Sequence, residues 1–185
     1  QTAETVAKRY NIGREAQDAY SLESHRRAAN AHAKGYFTSQ VVPIELKSKK
    51  GPVQYTADEH VRPDVKIEDM QKLRTVFKKE GTVTAGNASG LNDAGAAIVM
   101  MEAGAAKKAG AKPMARLVAY AHAGVDPELM GLGLLPAVKR LFEKAGLKPA
   151  DMDVIEANEA FAVQPMAGTR ALGPDPPRDS PNWRR

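Results

Sequence analysis

Apolar positions along the chain follow helical spacing in some stretches and form short continuous runs in others. Residues 2–10 predict a short helix, with Thr2 as its cap and Val6, Ala7 and Tyr10 on one face. Asn11-Ile12-Gly13 breaks it. Residues 14–34 predict a long helix that stops at Gly35. Residues 41–46 and 53–56 predict two strands, joined by a charged turn at Lys47-Ser48-Lys49-Lys50-Gly51-Pro52. A polar loop over 58–66 contains Arg62-Pro63, and a short helix follows over 67–73. The apolar run 96–101 fits a buried strand, and residues 103–109 predict a helix ended by Gly110. Residues 115–121, 135–145 and 154–157 then predict strand, helix and strand. That order implies a parallel pair with a right-handed crossover. In the helix, Val138, Leu141, Phe142 and Ala145 share a face, and Gly146 ends it. From Gly173 the chain is proline-rich and predicts an extended end.

Composition narrows the function classes. The 185 residues allow one domain, or one and part of another. Aromatics are 5% of the chain, so the core must rest on Ala, Val, Leu, Ile and Met. Cysteine is absent, which excludes a disulfide scaffold, a cysteine zinc site and a cysteine nucleophile within these residues. The net charge is +5, but the basic residues are scattered. No aromatic interleaving or base-reading motif accompanies them, so a nucleic-acid partner is not expected. No stretch reaches the ~20 apolar residues of a membrane span, and the polar start lacks a signal-peptide core. A cytoplasmic protein without a membrane partner is expected. The absence of Met at position 1 suggests an excerpt or a processed product. His25 and His32 lie seven apart, too far for chelation from neighbouring turns, so no metal is expected. No Gly-x-Ser-x-Gly elbow is present.

Two segments carry candidate chemistry. Glu156-Ala157-Asn158-Glu159-Ala160-Phe161 follows an apolar run and precedes an expected helix. It suits either an oxyanion or water-positioning site, or a helix N-cap with Asn158 capping and Glu159 favoured by the dipole. The small-residue segment 84–90 suits either the lining of a narrow ligand channel, with Ser89 as donor, or a tight turn between packed elements.

Gly81-Thr82-Val83-Thr84-Ala85-Gly86-Asn87-Ala88-Ser89-Gly90-Leu91-Asn92-Asp93 resembles a thiolase signature, and Asn158-Glu159-Ala160-Phe161-Ala162 resembles a second. The flanks agree: Arg14-Glu15-Ala16-Gln17-Asp18, Glu23-Ser24-His25-Arg26-Arg27-Ala28, Gly124-Val125-Asp126-Pro127 and Met130-Gly131. The resemblance extends to about Leu172. It implies an α/β, thiolase-like fold, here an incomplete subunit. Residues 1–92 resemble the loop domain that grips coenzyme A. Residues 93–110 resemble the last strand and helix of the first α/β half, and 111–172 the start of the second half. The implied activity is acyl transfer in which two acetyl-CoA interconvert with acetoacetyl-CoA and CoA, or thiolysis of a 3-ketoacyl-CoA. Acyl-CoA is then a substrate and no permanent cofactor is implied. A non-catalytic CoA-binding or interaction module is the alternative.

Residue by residue, the resemblance implies CoA contacts at His25, Arg62, Ala85, Gly86, Ala88, Ser89 and Phe161. Asn158 matches an asparagine that holds an oxyanion-hole water. Both catalytic cysteines and the catalytic histidine of the family fall outside these residues, so the chain alone is expected to be inactive. The family is also homo-oligomeric, as dimers or tetramers. Asn92-Asp93-Ala94-Gly95 departs from the family's Asn-Asp-Gly-Ala. Residues 173–185 form an aberrant tail: Pro181-Asn182 echoes the family, which continues Gly-Gly, whereas Trp183-Arg184-Arg185 stands here. That departure suggests a frameshift or truncation near this end.

Overall fold

The structure, a computed structural model, describes residues 1–172; the expectations about the tail from Gly173 lie outside the described residues. Helix α1 (Thr2–Arg9) buries Ala3, Val6 and Ala7, with Glu4 in its first turn and Lys8 and Arg9 in its last, as the helix dipole favours. Thr2 does not cap it. Gln1 occupies the flanking position, so Thr2 already lies inside the first turn.

Helix α2 (Arg14–Ala33) buries Gln17, Asp18, Ser21, Ser24, His25, Ala28 and Ala31. The spacing is helical but most of the stripe is polar, so its groups need partners inside the protein. Its end closes with Tyr36 N–H on Ala31 O at 3.1 Å and Gly35 N–H on His32 O at 2.9 Å. Gly35 sits at φ 70, which a side chain would oppose.

Strands β1 (Ile44–Ser48) and β2 (Gly51–Tyr55) form an antiparallel hairpin whose turn is Lys49-Lys50, as the charged run predicts. Ile44 pairs with Tyr55 and Leu46 with Val53, so these four share one face, and that face is exposed. Helix α3 (Ile67–Gln71) starts where the Asp69 carboxylate accepts from Lys66 N–H at 3.2 Å, and it buries Met70.

Beyond residue 90 lie helix α4 (Ala103–Lys108), a 3-10 segment (Pro127–Leu132), helix α5 (Leu134–Ala145), a 3-10 turn (Pro149–Asp151) and helix α6 (Val163–Leu172). Helix α6 and the first 3-10 segment pack on α1. Val6, Ile12, Val83, Leu132, Val163 and Ala167 form the centre of the core.

Three expected strands, over 96–101, 115–121 and 154–157, are not formed among the described residues, and neither is the parallel pair. A buried strand needs neighbours on its edges and faces. The first two runs lie open, with Ile98 84% and Val99 91% exposed and Leu117 and Val118 exposed too; over 154–157 Val154 is exposed and Ile155, half-buried, makes an isolated bridge only. Helix α5 nonetheless lies where the expected unit would put it. Lys144 Nζ stands 4.6 Å from the Tyr120 ring centroid and Arg140 Nη1 donates to His122 O at 3.3 Å.

Candidate functional site

A cleft of about 990 Å³ opens between α2, the 58–65 loop with α3, and the 85–90 segment. Its lining includes His25, Arg62, Ala85, Gly86, Ala88 and Ser89, six residues that the sequence singles out.

The 81–90 wall is held from beneath by buried polar groups. The Glu4 carboxylate accepts from Thr82 N–H, Val83 N–H and Thr82 Oγ1 at 2.9–3.0 Å. Gln17 Nε2 donates to Thr82 Oγ1 at 2.9 Å. Asn87 accepts from Thr84 N–H at 2.8 Å and donates to Thr82 O at 2.9 Å and Asp18 Oδ1 at 3.0 Å. Asp18 is completely buried, and its other oxygen accepts from Arg14 Nε at 2.6 Å. Arg14 also caps the end of α3, donating to Met70 O at 2.6 Å and Leu73 O at 3.1 Å. Asp18 therefore ties two walls of the cleft to one helix. Each such charged, buried hydrogen bond contributes on the order of 1.5–3 kcal/mol.

The opposite wall is tied to α2 through His25, whose Nδ1 accepts from Arg62 N–H at 3.3 Å. That acceptance puts the neutral ring's proton on Nε2. Arg62 and Ser89 are exposed to the cleft. Gly86 meets α3 closely: a Cβ there would stand 2.6 Å from both Met70 Sδ and Leu73 Cδ1. The wall formed by Ala85, Gly86 and Ala88 thus offers backbone and little side chain, which suits a slender unbranched ligand arm. Of the lining charges, Arg62 is the guanidinium and Asp58, Glu59, Asp64 and Asp69 are the carboxylates. Asp58 and Asp69 are engaged by the backbone N–H groups of His60 and Lys66.

Asn158 and Phe161 do not line the cleft. Phe161 stands behind the wall: Ser89 N–H donates to Ala160 O at 2.9 Å and Ala162 N–H to Asn87 O at 3.0 Å, so the two motif segments are bonded to each other. The Phe161 ring meets Phe77 edge-on at 6.3 Å. Asn158 is exposed and is not a helix cap, because α6 starts at Val163. The backbone over 160–162 is committed to the 87–89 segment, which delays the helix. Glu159 is buried and accepts from Tyr20 Oη and from Ser24 Oγ, the latter at 3.0 Å.

Among the anchors, Glu4, Gln17, Asp18 and Ser24 are buried and Tyr20 is half-buried; hydropathy marks none of the four buried ones, and the sequence names Gln17, Asp18 and Ser24 only within the flanking motifs. No group of three or more metal-binding side chains occurs among the described residues, and no described helix is long and apolar enough to cross a membrane.

The thiolase N-terminal domain model matches residues 1–104 and the thiolase C-terminal domain model matches residues 111–182. The chain belongs to the thiolase family. It is 61% identical over 182 residues to the beta-ketothiolase BktB of Cupriavidus necator, covering 98% of this chain and 46% of that protein. It is 48% identical over 175 residues to the mitochondrial 3-ketoacyl-CoA thiolase of Mus musculus, covering 95% and 44%. Among solved structures, the Bacillus anthracis acetyl-CoA acetyltransferase superposes with a TM-score of 0.92 at 43% identity, over 100% of this chain and 47% of that one. The human mitochondrial 3-ketoacyl-CoA thiolase in complex with CoA superposes at 0.87 with 42% identity, over 99% and 45%. The chain thus spans about half the length of the thiolases it matches.

Proposed function

We propose that this chain is the CoA-gripping portion of a thiolase-type acyltransferase, one that interconverts two acetyl-CoA with acetoacetyl-CoA and CoA or thiolyses a 3-ketoacyl-CoA. The carrying observation is the convergence of His25, Arg62, Ala85, Gly86, Ala88 and Ser89 on one cleft. The volume is that of a small-molecule site, and its small-residue wall fits a pantetheine arm. Arg62 suits phosphate charge and adenine stacking. Ser89 supplies a hydroxyl donor beside the arm. Asn158 orients an oxyanion-hole water, and Phe161 backs the wall. Residues 1–92 form the loop domain in this division, 93–110 the end of the first half and 111–172 the start of the second.

Acyl transfer of this kind requires an activated thiolate, and this chain contains no cysteine. The residues present bind and orient. That favours, as a second reading for the chain on its own, a CoA-binding module without turnover.

Calorimetric titration with CoA tests the proposal. Saturable binding is expected, weakened about tenfold by Arg62→Ala. Absence of saturable binding overturns it. An assay with acetoacetyl-CoA is expected to show no thiolysis by the pure chain; turnover would overturn the assignment of the chain as a binding portion. A cytoplasmic location and a homo-oligomeric state belong to the same proposal, and cell fractionation and light scattering check them.

A further inference from the structure

The mouth of the cleft carries a contact that the expected binding residues do not include. His60, in the 58–65 loop, and Gly90, at the end of the opposite wall, both line it. A Cβ built on Gly90 would stand 2.3 Å from His60 Cε1, 2.8 Å from Nδ1 and 3.1 Å from Nε2. The imidazole therefore rests on the Gly90 backbone, and the two walls touch across the opening. Two hydrogen bonds hold the loop backbone on either side of it. His60 N–H donates to Asp58 Oδ1 at 3.1 Å, and two residues on Arg62 N–H donates to His25 Nδ1 at 3.3 Å. The ring is otherwise exposed, as a group at the rim would be.

We propose that His60, seated on Gly90, is the ligand-retaining residue of the cleft. Its ring straps the two walls together across a long, slender ligand with a phosphorylated nucleotide head. This rests on the assignment of the cleft to CoA. Such a ligand enters and leaves lengthwise, so a strap across the mouth acts mainly on escape. Its loss should therefore appear in the dissociation rate, which is where affinity differences among variants of one site concentrate. The strap needs a ring and does not need the ring nitrogens, because packing against Gly90 is the contact it makes. It also needs glycine at 90. The backbone there lies outside the left-handed region, so alanine costs nothing in conformation and acts only by displacing the ring.

Stopped-flow and calorimetric measurements of CoA binding to the full chain provide the test. His60→Ala is expected to raise the dissociation rate about tenfold with little change in association. Gly90→Ala is expected to do the same, and the double variant to do no more than either single one, since both remove one contact. His60→Phe is expected to retain slow release, whereas His60→Gln is not. A residue that merely supports the loop would lower affinity through the association rate, or would respond additively with Gly90. Unchanged release in both single variants overturns the strap while leaving CoA binding intact. Failure of the unaltered chain to bind CoA overturns the cleft assignment and the strap with it.

Discussion

Asn87 takes part in five hydrogen bonds, one of them its own N–H on Thr84 O at 3.3 Å. Its side chain serves Thr84 N–H, Thr82 O and Asp18, and its backbone carbonyl receives Ala162 N–H. Removing the amide strands a buried N–H and half of a buried carboxylate, at a cost of about 1–3 kcal/mol. Asn87→Ala is therefore expected to accelerate exchange of the Thr84 amide proton by about 10- to 100-fold, measured by native-state hydrogen exchange. Unchanged exchange would show that the wall is held without it. Glu23 gives a pH-dependent case. Hydrogen bonds from Arg26, chiefly, and from Arg27, at 2.6–2.7 Å, lower its carboxyl from 4.5 to about 2, against a smaller opposing effect of burial. Because the folded value is the lower one, the cluster's stabilisation is complete above pH 4.5 and fades as pH falls towards 2. A carboxyl-carbon NMR titration of Glu23 should find its midpoint near 2. A midpoint near 4.5 would mean that the pairs are not formed. The pairs are surface ones, so the effect on stability is small.

At the scale of elements, the helices were legible because their stop signals are local. Gly35, Gly110 and Gly146 each sit at positive φ just past a helix, where the sequence puts the ends. Gly146→Ala is expected to cost about 1 kcal/mol through its φ of 67, read as faster amide exchange in the last turn of α5. The Lys-rich turn was legible for the same reason. Pairing of the apolar runs beyond residue 90 was not, since an apolar run states that it wants burial and is silent on whether a neighbour exists. The polar stripe of α2 carries no hydropathy signal, because Gln17, Asp18 and Ser21 are buried by other segments that the helix's own sequence does not specify. Likewise Asn158 reads as a possible cap because the bonding of 160–162 to the 87–89 segment is not written in the local sequence. Helix α4 has a cap that hydropathy does not reveal. Glu102 accepts from Gly104 and Ala105 N–H, and these bonds lower its pKa. Acidification is expected to fray that helix first at its N-terminus.

Over the whole molecule, packing is uneven. Helix α1, Val83 of the 81–90 wall, the first 3-10 segment and α6 share a core, whereas the runs 96–101 and 115–121 lie open. Uncovered apolar runs of this kind attract one another or an equivalent surface. The isolated chain is expected to associate with rising concentration, to bind hydrophobic dyes and to melt without a single sharp transition. Light scattering with calorimetry checks this, and a monomer with one cooperative transition would contradict it. The bond from Ser89 to Ala160 has a consequence of another kind. It closes a loop of about 70 residues, and closure entropy grows only with the logarithm of loop length, about 0.6 kcal/mol per doubling. Segments inserted or removed between those two points would scarcely alter the thermodynamic cost of bringing the two motifs together. Insertions would chiefly slow the search and deletions quicken it, as expected of a junction that forms late in folding.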